Sequence, residues 1–142
     1  MESGKIHVAA GAVIEDEMGR VLLVKHKPQR EGFWKGKWIC PGGRIKPGEA
    51  IREAIIREVE EETHLEIDLV KPLIPFERIV REGNKVILHV IYIDYLAKKK
   101  GGELKADDDV GEAIWVKREE LKNLVEELHE DTRILLQISG LL

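Results

Sequence analysis

The chain has 142 residues and a mass of 16.2 kDa, and 43% of its residues are hydrophobic, which suits one domain spanning 1–142 around an ordinary core. Its net charge of −4 argues against gripping extended nucleic acid through a basic surface, a mode that needs many phosphate contacts, but it is compatible with a small phosphorylated ligand held through a metal. No apolar run is long enough to cross a bilayer and the start, Met1-Glu-Ser-Gly-Lys-Ile-His, carries no secretory segment, so a soluble cytoplasmic protein with no membrane partner is expected.

Residues 5–14 are rich in small and branched apolar side chains, 15–20 offer a turn at Gly19, and 21–27 resume as a strand, which predicts a hairpin at the centre of a sheet. Residues 28–37 are polar and glycine-bearing and read as a loop carrying Phe33, Trp34 and then Trp38 toward the next segment. Each tryptophan is a candidate to stack on a nucleobase, a contact worth about 1–3 kcal/mol per base. Core packing is the competing role, above all for Trp38. Lys25, His26 and Lys27, with Arg44 and Lys46 further on, are candidate phosphate contacts weighed against plain solvent exposure. Cys40, the only cysteine, excludes an internal disulfide and a cysteine-based zinc site and is expected to be a small core residue.

Pro41-Gly42-Gly43 and Pro47-Gly48 bracket the approach to a helix predicted over 49–63, and such glycines permit backbone to wrap closely around a ligand or metal. At roughly 100° per residue, Ile51, Ile55 and Val59 form a stripe with Ala54 beside it. Glu58, Glu61 and Glu62 fall on or beside that stripe, whereas Glu53 and Glu60 lie opposite. A buried carboxylate without a partner costs several kcal/mol or takes up a proton, so something positive should meet these three. Positions i, i+3 and i+4 converge beside a helix, and a hard divalent cation prefers oxygen ligands. The competing account is a charged surface helix whose Glu and Arg side chains exchange ion pairs. Arg57 stands four residues from both Glu53 and Glu61 and can pair with either.

Beyond the helix, 66–80 is extended but interrupted at Pro72 and Pro75, and 81–84 turn into a strand over 85–97 with apolar residues on both faces, hence buried. Residues 98–109, with Gly101-Gly102 and three consecutive aspartates, read as a surface loop, and 113–116 return as a short strand. Helices are predicted over 117–128, with a core-facing stripe of Leu121, Leu124, Val125 and Leu128, and over 131–139.

Gly43, Glu49, Arg57, Glu58, Val59, Glu61, Glu62 and Leu65 match eight of the nine specified positions of the signature of the Nudix hydrolases, which this segment closely resembles. The departure is His64, where the signature has a glycine that ends the helix in a left-handed conformation; histidine adopts it at a cost of about 1 kcal/mol. Lys37-Trp38-Ile39-Cys40 resembles the family's usual entry into the motif. The resemblance implies an α/β fold, an α/β/α sandwich around a mixed sheet, and Mg²⁺- or Mn²⁺-dependent hydrolysis of the pyrophosphate of a nucleoside diphosphate linked to another group. It assigns Glu58, Glu61 and Glu62, with Gly42, to the metal, Arg57 to orienting the carboxylates, and Glu49 to assistance through a water. The catalytic base is either a motif glutamate or one of Asp107, Asp108, Asp109 and Glu112. Trp34, Trp38, Arg44, Glu49 and Glu112 are the substrate-binding candidates. Residues 101–108 and 112–116 are similar to the tail of short ADP-ribose pyrophosphatases, which favours ADP-ribose slightly over oxidised or ordinary nucleoside triphosphates. The partner is then a small nucleotide derivative, with a homodimer admitted, and the alternative is a nucleotide-binding module of this fold that has lost turnover.

Overall fold

The structure, a computed structural model, describes residues 4–142; the part of the N-terminal reading that falls on residues 1–3 lies outside the described residues. Strands β1 (Ile6–Glu15), β2 (Arg20–His26), β3 (Gly42–Arg44), β4 (Glu66–Pro72), β5 (Phe76–Glu82), β6 (Lys85–Gly101) and β7 (Val110–Lys117) form one sheet. Its main order is β4-β6-β1-β2-β7, with β3 paired to β1 and β5 to β6. Only β1 and β6 run parallel among these pairs, so the sheet is mixed, and α1 (Ile51–Thr63) and α2 (Glu130–Ile138) complete the α/β sandwich.

The central strands show why both faces are covered. Successive side chains point to opposite sides of a strand. Ala12, Ile14, Leu22 and Val24 join Ile55, Val59 and Leu65 of the α1 side in one core cluster. Val13, Val21 and Leu23 join Trp38, Leu121, Leu128, Leu135 and Leu136 in the other. The predicted hairpin thus occupies the middle of the sheet, and the loop after it is tied down at its end. Ile39 exchanges backbone hydrogen bonds with Val24 at 2.8 Å in both directions, and Trp38 bonds to Glu127 and His129.

Four expectations are corrected. Strand β6 runs to Gly101 and does not yield to a loop at 98, because β4 pairs along it through Glu66↔Gly101 and Asp68↔Lys98 and satisfies its backbone. It is also less buried than its sequence suggests: Leu88, Val90, Asp94 and Ala97 are buried, but the residues between them are half-exposed, because its outer neighbour β5 is itself largely exposed. The segment Arg118–Glu127 is a 3-10 helix, whose three-residue turn aligns Leu121 with Leu124. Ile51 is 38% exposed, because it opens the first turn of α1 where the helix has not yet reached the sheet.

Candidate active site

The entry to α1 is held by two carboxylates that turn back on the loop. The Lys46 N–H donates to Glu49 Oε1 at 3.0 Å within the preceding loop, and the Ala50 N–H donates to Glu53 Oε1 at 3.1 Å, satisfying the amide at the helix cap. Glu53 is therefore engaged at the cap and is not the partner of Arg57. The guanidinium instead forks onto Glu49, Nε to Oε2 at 2.6 Å and Nη2 to Oε1 at 3.0 Å, while Nη1 donates to Glu58 at 2.9 Å and to Glu61 at 3.2 Å. Its fourth tie is to the Arg44 carbonyl at 3.3 Å. Hydrogen bonding from Arg57 holds the Glu49 carboxyl down at about 2.

The three motif glutamates occupy different surroundings. Glu62 is only 3% exposed and accepts from the Gly42 N–H at 3.0 Å. Burial, and next the charge of Glu58, push its carboxyl well above the ordinary range. Glu58 is raised as well, first by burial, with Arg57 opposing and the charges of Glu61 and Asp108 adding to the rise. Glu61 is exposed and borders a separate open depression with Glu53, Arg57, Glu60, His64 and Asp108. Among the described residues no three His, Cys, Asp or Glu side chains gather at ligating spacing. Arg57 is the physical reason, since it draws Glu58 and Glu61 to itself. The pair Glu58 and Glu62 nevertheless suits a hard divalent ion, because both are oxygen donors whose charges are desolvated and mutually repelled.

Glycine makes the room beside this pair, at Gly42 against backbone and at Gly43 against the Glu58 side chain. A Cβ on Gly43 would lie 2.5 Å from the Glu58 carboxylate, and one on Gly42 would lie 2.6 Å from the Ala10 carbonyl oxygen. The loop after β6 closes over the end of α1. The Lys105 and Asp107 amides donate to the Thr63 and Glu62 carbonyls at 3.0 Å each, and His64 Nε2 meets Asp107 Oδ2 at 2.7 Å. His64 adopts the left-handed φ of 62° that the motif glycine normally supplies. Asp107 is thus turned to His64, whereas Asp108 and Asp109 act electrostatically on Glu62. Glu112 is exposed on β7 opposite Lys25 and does not line the adjoining cavity.

That cavity, about 630 Å³, extends from Glu58 and Glu62 across the sheet toward α2. Trp34 lines it and donates from Nε1 to the Tyr92 hydroxyl at 3.1 Å. Tyr92 in turn donates to Asp131 Oδ2 at 2.5 Å and stacks on Phe76 with ring centroids 4.7 Å apart. Arg78 donates twice to Asp131 Oδ1, at 2.8 and 2.6 Å. Arg44 sits at the exposed rim. Trp38 lies in the α2-side core under Lys25, whose Nζ is 4.4 Å from the ring centroid, and does not line the cavity. The second wall, Tyr92 and Asp131, with Arg78 fastening Asp131 but not itself lining the cavity, escaped sequence reasoning, as did Asp94 on the floor. The signal for Asp94 was its place in an otherwise apolar face of a strand.

Comparison with known proteins places these features in a family. The NUDIX domain matches residues 5–137. A nucleoside triphosphatase NudI of Enterobacter sp. (strain 638) is 33% identical over 131 residues, covering 87% of this chain and 90% of its own. The crystal structure of a MutT NUDIX hydrolase from Burkholderia pseudomallei superposes with a TM-score of 0.76 at 26% identity, covering 94% of this chain and 98% of that one. The same fold recurs in a bifunctional NMN adenylyltransferase/ADP ribose pyrophosphatase from Francisella tularensis, crystallised with AMP and a Mn ion, at a TM-score of 0.69 and 22% identity over 94% of this chain and 41% of that one. With the family's domain matched over 5–137 and these relatives aligned along most of its length, the chain belongs to the NUDIX domain family and is a Nudix pyrophosphohydrolase.

Proposed function

We propose that the protein hydrolyses the pyrophosphate bond of a nucleoside triphosphate in the presence of Mg²⁺ or Mn²⁺, with ADP-ribose as the second substrate to test. The observation that carries this reading is the adjacency of Glu58 and Glu62 to a cavity with an aromatic wall. The carboxylates are suited to the charged end of such a ligand through a divalent ion, and Trp34 to its base. A bound divalent ion would neutralise phosphate charge and acidify water. The chain's own part is to hold Glu58 and Glu61 in place through Arg57, itself anchored on Glu49, to hold Glu62 through the Gly42 N–H, and to present the Gly42–Gly43 backbone at close range. Of the acidic loop, Asp108 is the group assigned to take a proton from water, since Asp109 is paired with Arg30 at 2.5 Å and Asp107 with His64. Nucleoside triphosphates come ahead of ADP-ribose because relatives named for that activity align along most of this chain. The ligand is a small molecule, no extended nucleic acid is involved, and a homodimer is compatible.

A panel of (d)NTPs, ADP-ribose and dinucleoside polyphosphates, assayed for pyrophosphate, phosphate or monophosphate release with Mg²⁺, with Mn²⁺ and with chelator, tests this. Triphosphate turnover abolished by chelator is the expected result, and Glu62→Gln should lower it by orders of magnitude. Turnover indifferent to chelator, or confined to substrates without a pyrophosphate, would refute it.

A further inference from the structure

Asp94 is buried, 7% exposed, and lines the floor of the cavity, and its Oδ2 has no hydrogen-bond partner. A buried polar atom left without a partner costs about 1–3 kcal/mol, so a chain keeps one where something else completes it. The space for this carboxyl is made by the neighbouring strand. Asp94 stands opposite Gly11 on β1, and Gly11 stands opposite Gly42 on β3. A Cβ on Gly11 would lie 2.9 Å from Asp94 Oδ1 and 2.6 Å from the Pro41 carbonyl oxygen, so this row of the sheet admits the carboxyl only because glycine occupies its middle.

Of the other buried carboxylates of the cavity, Glu62 stands at the glycine loop, where it accepts from the Gly42 N–H, and Asp131, beside the aromatic wall, is already engaged by Arg78 on one oxygen and by Tyr92 on the other. At the aromatic end of the cavity, Asp94 therefore holds the unused accepting capacity. Tyr92 precedes it by two residues on the same strand face, and Phe33 and Trp34 line the same cavity, so a flat ring leaning on that wall brings its edge toward the floor. A carboxylate offers only acceptors, so it complements an exocyclic amino group, whereas a ring carbonyl in the same place would set oxygen against oxygen.

We infer that Asp94 is a specificity-determining residue that accepts a hydrogen bond from an amino group on the nucleobase of the ligand, favouring amino-bearing bases over their carbonyl counterparts. This rests on the cavity being the nucleoside site of the proposed function. The pairs CDP with UDP and ADP with IDP differ at that ring substituent together with the ring proton that accompanies it. Their dissociation constants, measured by calorimetry on the full chain at pH 8, where Asp94 is ionised, and without turnover, test the assignment. The amino-bearing member of each pair binds about tenfold more tightly to the wild type, the size of one charge-assisted hydrogen bond, and Asp94→Asn brings the ratio close to one while circular dichroism remains unchanged. Equal affinities within both pairs for the wild type, or a ratio that survives Asp94→Asn, would overturn this assignment alone. Failure of all four nucleotides to bind would overturn the nucleoside site as well.

Discussion

Asp94 also makes a statement about stability, because burial pushes its carboxyl up from 3.8 to about 7. Between those values the folded chain holds a proton that the unfolded chain has released, so stability is greatest at the acid end and falls as pH rises toward 7, by roughly 1.4 kcal/mol per unit across the window. Asparagine carries no charge to desolvate. Asp94→Asn should therefore raise the melting temperature by several degrees at pH 8 and leave it nearly unchanged at pH 4; a gain of equal size at both would contradict the burial account. His64 poses the reverse question, since its side chain is gained at a backbone cost. Its φ of 62° is strained for a residue with a Cβ, and its contact with Asp107 joins two side chains that are 43% and 52% exposed and is worth little. His64→Gly should keep full activity and raise stability by up to about 1 kcal/mol in urea unfolding. A collapse of turnover would show instead that the Asp107 contact positions the acidic loop for the reaction.

At the scale of the helix, the role of Arg57 depends on the shape of its side chain more than on its charge. A planar fork meets both oxygens of Glu49 and still reaches Glu58 and Glu61, whereas an ammonium offers one point charge. Arg57→Lys is expected to lower kcat about tenfold, in the range seen when partners of metal ligands are removed, with an unchanged melting temperature. An unaltered kcat would reduce Arg57 to a surface ion pair. This helix and its glycine loop were legible in the sequence because their determinants are local: a period of 3.6, carboxylates at fixed offsets, and glycines where a Cβ would strike Glu58 or a carbonyl. The partition of the glutamates was not legible. Which of them Arg57 captures, and which burial isolates, depends on where the helix meets β1 and β3. Nor was the length of β6, since nothing in Lys98-Lys99-Lys100 announces that β4 pairs alongside.

Across the whole molecule, the cavity exists because elements far apart in the chain are held together over it, and such pairings leave no periodic trace. Trp34 and Tyr92 are 58 residues apart and Arg78 and Asp131 are 53 apart, so the second wall emerges only when β5, β6 and α2 assemble. The Arg78–Asp131 contact is the strongest of these ties. The Asp131 side chain is 4% exposed, accepts two hydrogen bonds from the guanidinium, and lies in the first turn of α2. Removing the cation alone leaves a buried carboxylate held only by the Tyr92 hydroxyl, and breaking such a pair costs about 3–5 kcal/mol. Arg78→Met should accordingly lose stability of that order and weaken nucleotide binding as α2 loosens from the sheet. Arg78→Met combined with Asp131→Asn should regain most of the stability, because the desolvated charge is gone while Tyr92 can still donate to the amide oxygen. Urea unfolding of the four proteins forms a complete double-mutant cycle. Two single variants whose losses simply add in the double would mean that the pair does not fasten α2 to the sheet, and that the apolar cluster of Leu135 and Leu136 alone keeps the cavity's second wall in place.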